Sequence, residues 1–146
     1  MPELHDRFGL PLTTASAAAV QHYQAGLDRF LSFDAGARER LEEASARDLG
    51  FALPYAAQAV VLWQLGQREE AQARARLAQT RIPGVSPRER GHIEAILAVV
   101  EGGGHIDRDG HQAPNLQAVQ LCRAHLREFP RDALILFLVT ILTVFS

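Results

Sequence analysis

The stretch that decides the fold is residues 54–83, PYAAQAVVLWQLGQREEAQARARLAQTRIP, which has the pattern of two short helices folded back on each other. In its first half, apolar residues recur at the three- and four-residue spacing of one helix face, as Ala56, Ala59 and Val60 show. Its second half is rich in alanine, glutamine, arginine and glutamate, which favour helix. Gly66 lies between the halves, where glycine readily ends a helix, and Pro83 prevents the second helix from continuing.

The same pattern recurs along the chain at an interval of 34 residues. This interval separates Ala37 from Ala71 and Ala44 from Ala78, and it is the period of the tetratricopeptide repeat, a helix–turn–helix unit. Ala118 follows Ala71 after 47 residues, because a glycine-rich insertion lies between them. The sequence therefore predicts an all-α fold of tetratricopeptide-like helical hairpins, an α-solenoid of about two to three hairpins with the last one incomplete.

We expect residues 1–146 to form a single helical-repeat domain, because the chain has the length of one domain. Its predicted parts are an extended lead-in at 1–12, hairpins at about 15–48, 52–80 and 87–129, a loop insertion at 102–114 and an unpaired apolar helix at 133–146. Several helix starts carry capping residues. The clearest is Ser86, which has Pro87 after it and Glu89 at the capping-box position. Asp34 is the predicted cap of the second helix.

Composition and charge exclude some classes of partner and compartment. The chain is 47% hydrophobic and 22% charged with a net charge of −2, so it offers no basic field for nucleic acid. Cys122 is the only cysteine, and the first residues lack the apolar stretch of a signal peptide, so we expect a cytoplasmic protein without a disulfide. The apolar run at 133–146 is too short to span a membrane, which needs about 20 residues.

Four stretches of the chain resemble the start of the family of tetratricopeptide repeat protein 38. They are LPLTT at 10–14, ASARD at 44–48 with Phe51 close behind, SPRER at 86–90 with His92, and FPRDAL at 129–134. The resemblance implies a helical-repeat scaffold and supplies no catalytic residues. Family members are longer, and this chain differs from them by its loop insertion and by the absence of the later repeats.

The most site-like stretch of the sequence is the loop that contains two histidines and two aspartates. These residues, His105, Asp107, Asp109 and His111, are the candidate ligands of a divalent metal. The loop does not match a calcium-binding loop. When Gly110 is placed at the turn position, Leu116 occupies the position of the bidentate glutamate. Since glycine-rich polar loops are usually solvated connectors, we expect this loop to be exposed and free of metal.

Three polar or aromatic residues are candidates for a protein-binding surface on the concave side of the repeats, namely Tyr55, Gln58 and His92. Trp63 and Cys122 lie on apolar helix faces and are expected in the core.

The sequence favours a scaffold that mediates protein–protein interaction over an enzyme. No nucleophile–base pair, phosphate-binding loop or acid pair at helical spacing is visible, so we expect no cofactor and no catalysis. A protein or peptide partner of unknown identity is expected instead. The alternative is a metal-binding or enzymatic protein that uses the loop between His105 and His111. The last helix has apolar residues all round, so we expect it to be covered by later repeats or by self-association through residues 134–145.

Overall fold

The computed structural model describes residues 4–102 and 116–144. The helices in these residues are α1 (Ala17–Leu31), α2 (Ala37–Arg47), α3 (Ala52–Gln64), α4 (Arg68–Gln79), α5 (Pro87–Glu101), α6 (Leu116–Glu128) and α7 (Ala133–Val144). Two short strands, β1 (Leu4–His5) and β2 (Pro11–Leu12), pair in antiparallel fashion ahead of them. The described chain is therefore mostly helical, and the prediction of an all-α protein is confirmed at that level.

Consecutive helices pack against each other as pairs, α1 on α2, α3 on α4 and α5 on α6. The pairs also contact one another through α2 with α3, α4 with α5 and α3 with α5. Alanines lie where the helices meet, and Ala44, Ala71 and Ala78 are fully buried. The predicted small-residue positions are thus confirmed as packed ones. Alanine suits them because it adds no side chain beyond Cβ, which lets two helices approach closely.

The turns and caps follow the sequence signals in most places. Gly66 has a φ of +80° and ends α3, and Ser86 forms the predicted capping box with Glu89 at the start of α5. The prediction of Asp34 as the cap of α2 is wrong. Gly36 occupies that position with a φ of +92°, and no side chain caps the helix there. The glycine is favoured because an L side chain in this conformation is strained.

The N-terminal lead-in is a tight hairpin instead of a simple extended segment. The Oδ1 atom of Asp6 accepts hydrogen bonds from the backbone N–H groups of Phe8 and Leu10, and these bonds hold the turn between the two strands. Leu12 is buried in the core after the second strand. The hairpin therefore fixes the start of the chain against the helices.

The core lies around α3, whose residues from Ala52 to Leu62 are all buried. Tyr23 of α1 packs edge-on against Phe51 with ring centroids 5.4 Å apart. Trp63 is half-buried at the end of α3 and packs against the core, as expected.

Helix α7 packs one side on the molecule and leaves the other exposed. Leu134, Ile135 and Leu138 are buried, whereas an exposed line runs along the opposite side through Leu136, Thr140, Thr143 and Val144. The exposed line thus combines two apolar residues with two threonines. Their hydroxyl groups donate to backbone carbonyls four residues earlier. Among the described residues, no helix has both the length and the apolarity needed to cross a membrane.

Candidate functional site

A group of charged and polar side chains is enclosed between the helices. We call it the polar centre, and it consists of Asp6 before β2, Arg88, Glu89 and His92 on α5, His125 on α6, and Asp132 before α7. Each of these side chains is buried. Buried charge is costly unless it is paired, so the geometry of this centre requires a physical explanation.

Asp132 is the acceptor on which the centre converges. Its Oδ2 atom lies 2.8 Å from Nδ1 of His92 and 2.8 Å from Nε2 of His125. A carboxylate can only accept, so both ring nitrogens donate, and this fixes the tautomer of each neutral imidazole. The Nε2 atom of His92 is then left buried without a hydrogen-bond partner in the described part of the chain.

Arg88 links Asp132 to the N-terminal hairpin. Its guanidinium nitrogens lie 3.5 Å from Oδ2 of Asp132 and 3.4 Å from Oδ2 of Asp6. Glu89, on the same helix, accepts from both the backbone N–H and the hydroxyl of Thr13. Residues far apart in sequence therefore hold β2, α5, α6 and the start of α7 together.

The electrostatic state of the centre follows from burial and from these contacts. Burial raises the pKa of Asp132, but His92, His125 and Arg88 lower it by more, so the pKa lies well below its usual range. Burial is also the largest cause that raises the pKa of Tyr23 far above its usual value. Asp132 is therefore ionised and Tyr23 neutral, which leaves neither group poised for acid–base catalysis near neutral pH.

His125 fits into the centre because Gly91 of α5 faces it. A Cβ atom at Gly91 would lie 2.5 Å from Nδ1 of His125, which is too close for any side chain. Gly91 is in the middle of a helix, where glycine costs about 1 kcal/mol relative to alanine. This unfavourable glycine was the sequence signal for a close approach here, and sequence reasoning missed it.

The structure places the three predicted protein-binding residues in the interior, so that prediction is wrong for the described fold. His92 and Gln58 are each 1% exposed, and Tyr55 is buried as well. Gln58 donates through Nε2 to the carbonyl of Leu41 and to the hydroxyl of Ser45, which ties α3 to α2. The faces of α3 and α5 that contain them are covered by neighbouring helices.

The candidate metal ligands of the loop, His105, Asp107, Asp109 and His111, lie outside the described residues. The expectation that this loop is exposed and free of metal stays a prediction. Cys122 is fully buried on α6, as expected, and burial together with Asp132 raises the pKa of its thiol to about 11. The thiol is therefore neutral and unsuited to nucleophilic chemistry near neutral pH.

A second feature is an open groove of about 560 Å³ between the end of α1, the start of α2 and the end of α3. We call it the aromatic groove. Its apolar lining consists of Phe30, Phe33, Ala37, Val61 and Leu65, and its polar lining consists of Asp34, Gly36, Arg38, Glu39 and Gln64. Phe33 is 74% exposed and Leu65 is 61% exposed, so large apolar side chains face the open side of this groove.

Phe33 has an unusual backbone conformation. It is the one non-glycine residue with a positive φ, +58°, in the described part of the chain. The N–H of Phe33 donates to the carbonyl of Phe30 and the N–H of Asp34 donates to that of Arg29, which is the hydrogen-bond pattern of a Schellman motif. Glycine usually occupies this position, because a side chain there costs about 1–2 kcal/mol.

Helix α7 borders the aromatic groove and contacts its aromatic residues. The ring of Phe137 packs edge-on against Phe30 with centroids 5.1 Å apart, and it lies 6.2 Å from the ring of Phe33. Farther along α7, Ile141 faces Trp63 and Gln64 across a smaller cleft. An apolar helix of the chain itself thus packs beside the groove.

In comparisons with known proteins, no family model, no curated protein and no solved structure matches this chain.

Proposed function

We propose that this chain is a helical-repeat scaffold of the tetratricopeptide type that binds an amphipathic helix of a partner protein in the aromatic groove. The 34-residue interval, the paired helices and the resemblance to the family of tetratricopeptide repeat protein 38 support the repeat assignment. Stacked helical hairpins of this kind present extended surfaces that bind peptides and proteins. The polar centre then serves to hold the last helices and the N-terminal hairpin in place.

The observation on which the proposal depends is the strained backbone and the exposed ring of Phe33. A large aromatic side chain at this position destabilises the free chain in two ways. Its backbone is strained, and its ring is 74% exposed to water. Strained residues persist at binding sites when they present a side chain that function requires. A ligand that covers Phe33 would recover the burial that the free chain lacks.

The contacts of α7 indicate what kind of ligand fits. Phe137 shows that an aromatic residue on an apolar helix packs well on Phe30 and beside Phe33. The open part of the groove offers the same apolar chemistry through Val61 and Leu65. A partner helix with large apolar residues at i, i+3, i+4 and i+7 would use this surface by the common helix-in-groove mode.

The polar lining indicates the charge of that helix. Arg38 is already engaged by Glu42 at 3.0 Å and by Glu70 at 3.5 Å. Asp34 and Glu39 give the groove an acidic edge. Lysine or arginine residues beside the apolar stripe of the partner helix would complement this edge and favour encounter.

A phage-displayed library of 16-residue helical peptides tests the proposal. We expect selection against the chain to enrich peptides with an apolar stripe and basic flanks. Binding of an enriched peptide, measured by fluorescence polarisation, should fall at least tenfold in Leu65→Glu, because a buried unpaired charge would oppose the apolar contact. The matched control is Leu49→Glu, since Leu49 is 67% exposed and lies outside the groove lining.

The proposal would be overturned if no helical peptide were enriched, or if Leu65→Glu and Leu49→Glu weakened binding equally. Circular dichroism of both variants should match the parent chain, because each substitution is made at an exposed side chain.

A further inference from the structure

The polar centre encloses more carboxylates than guanidinium groups. Three carboxylates, Asp6, Glu89 and Asp132, are enclosed with a single guanidinium, that of Arg88. This leaves an excess of two negative charges. Glu89 and Asp132 lie at the starts of α5 and α7, where the helix dipoles offset part of this charge. A cation near Asp132 would offset the remainder.

Three donor atoms already converge at that position. One ring nitrogen of His92, one of His125 and one carboxylate oxygen of Asp132 lie within 4.8 Å of one another. We propose that these three residues bind one zinc ion or a similar divalent transition metal. The proposal is independent of the aromatic groove, which lies among other residues of the chain.

The donor set has the right chemistry for such an ion. Two imidazole nitrogens and one carboxylate oxygen are ligands that zinc commonly takes, with a water molecule as the fourth. The nitrogens now lie 2.8 Å from Oδ2 of Asp132. Around a tetrahedral ion with bonds of about 2.0–2.1 Å, neighbouring donors are about 3.3 Å apart. To hold the ion, each nitrogen would therefore lie about 0.5 Å farther from the ligating oxygen, and the two nitrogens would lie about 3.3 Å from each other.

The protons also balance. When a metal ion takes Nδ1 of His92, the proton of that nitrogen moves to Nε2, which is buried and has no hydrogen-bond partner in the described part of the chain. The proton of His125 moves in the same way from Nε2 to Nδ1. Both imidazoles are then neutral ligands, and the divalent charge offsets the negative charge that Arg88 and the helix dipoles leave.

The surroundings would orient these ligands. Arg88 contacts Asp132 on one side, as expected of a residue that fixes a ligating carboxylate. Gly91 leaves the space that the ring of His125 occupies. Because the three ligands are buried and come from α5, α6 and the residue before α7, the ion would stabilise the packing of these helices.

Zinc titration of metal-stripped chain by isothermal calorimetry, with elemental analysis of the product, tests the site. We expect one zinc per chain and a rise in melting temperature, because a ligand of the folded state stabilises it. His125→Gln and Asp132→Asn should each weaken binding at least a hundredfold. The matched control is the double variant His105→Ala, His111→Ala, which removes the loop imidazoles and should bind zinc like the parent chain.

A measurement on the parent chain tests the site even when a variant does not fold. X-ray absorption of the zinc-loaded chain should show two imidazole ligands and otherwise oxygen. The proposal is overturned if the folded parent chain binds no zinc. Loss of binding in the loop variant, or a spectrum without two imidazoles, would also overturn it.

Discussion

At the scale of single residues, the backbone conformation of Phe33 affects the stability of the chain. The variant Phe33→Gly removes the strain of a side chain at φ +58°, so we expect its free energy of unfolding to rise by about 1 kcal/mol. Urea denaturation measures this change. The matched control is Phe33→Ala, which loses the ring but keeps a Cβ atom, and it should gain nothing. Equal stability of the two variants would show that the backbone of Phe33 is unstrained.

The raised pKa of the Cys122 thiol predicts that the free energy of unfolding falls at alkaline pH. Its pKa is about 11 in the folded chain, above the value of about 8.5 expected for an unfolded one. A raised pKa means that the contribution of the neutral thiol is fully present below about pH 8.5 and is lost as the pH rises toward 11.

We therefore expect the urea midpoint to fall more between pH 8 and about pH 10.5 in the parent chain than in Cys122→Ala, which has no thiol to ionise. Parallel pH profiles of the two chains would contradict this account of Cys122.

At the scale of elements, the contact between α3 and α4 depends on its small residues. Ala71 is fully buried, so Ala71→Leu should lower the free energy of unfolding by about 1–3 kcal/mol through overpacking. Ala73→Leu is the matched control, because Ala73 is exposed on the same helix. An unchanged melting temperature for Ala71→Leu would mean that the helix register assigned to α4 is wrong.

Local signals explain which elements could be predicted from the sequence. The capping box of Ser86 and Glu89 and the glycine at Gly66 depend on neighbouring residues alone, and the structure has both. The hydrogen-bonding potential of Asp34 suggested a cap, but the chain ends α1 with a Schellman motif and begins α2 at Gly36 instead. The sequence alone could not show whether Asp34 or Gly36 begins α2, because that choice depends on how α1 and α2 pack against each other.

The candidate sites were harder to predict because they depend on contacts between distant residues. His92 and Asp132 are 40 residues apart in sequence and Arg88 and Asp6 are 82 apart, so no local pattern brings them together. The left-handed conformation of Phe33 is equally invisible in the sequence, since glycine is the residue that usually marks it. His92 was noted as a polar residue, but its burial needs the positions of α6 and α7.

At the scale of the whole molecule, α7 links the two candidate sites. Asp132 of the polar centre immediately precedes α7, and Phe137 of α7 contacts the aromatic groove. Leu136 and Val144 stay exposed on its outer line. The expectation that later repeats or a second copy cover this line stays a prediction.

The measurement that tests the central claim most directly is a nuclear magnetic resonance titration of isotope-labelled chain with a peptide from the helical library. The account predicts backbone amide shifts concentrated at residues 30–39 and 61–65, which line the aromatic groove. It also predicts that Phe33→Gly, although more stable, shows much smaller shifts. Shifts concentrated on another surface, or equal shifts in Phe33→Gly, would contradict binding in this groove.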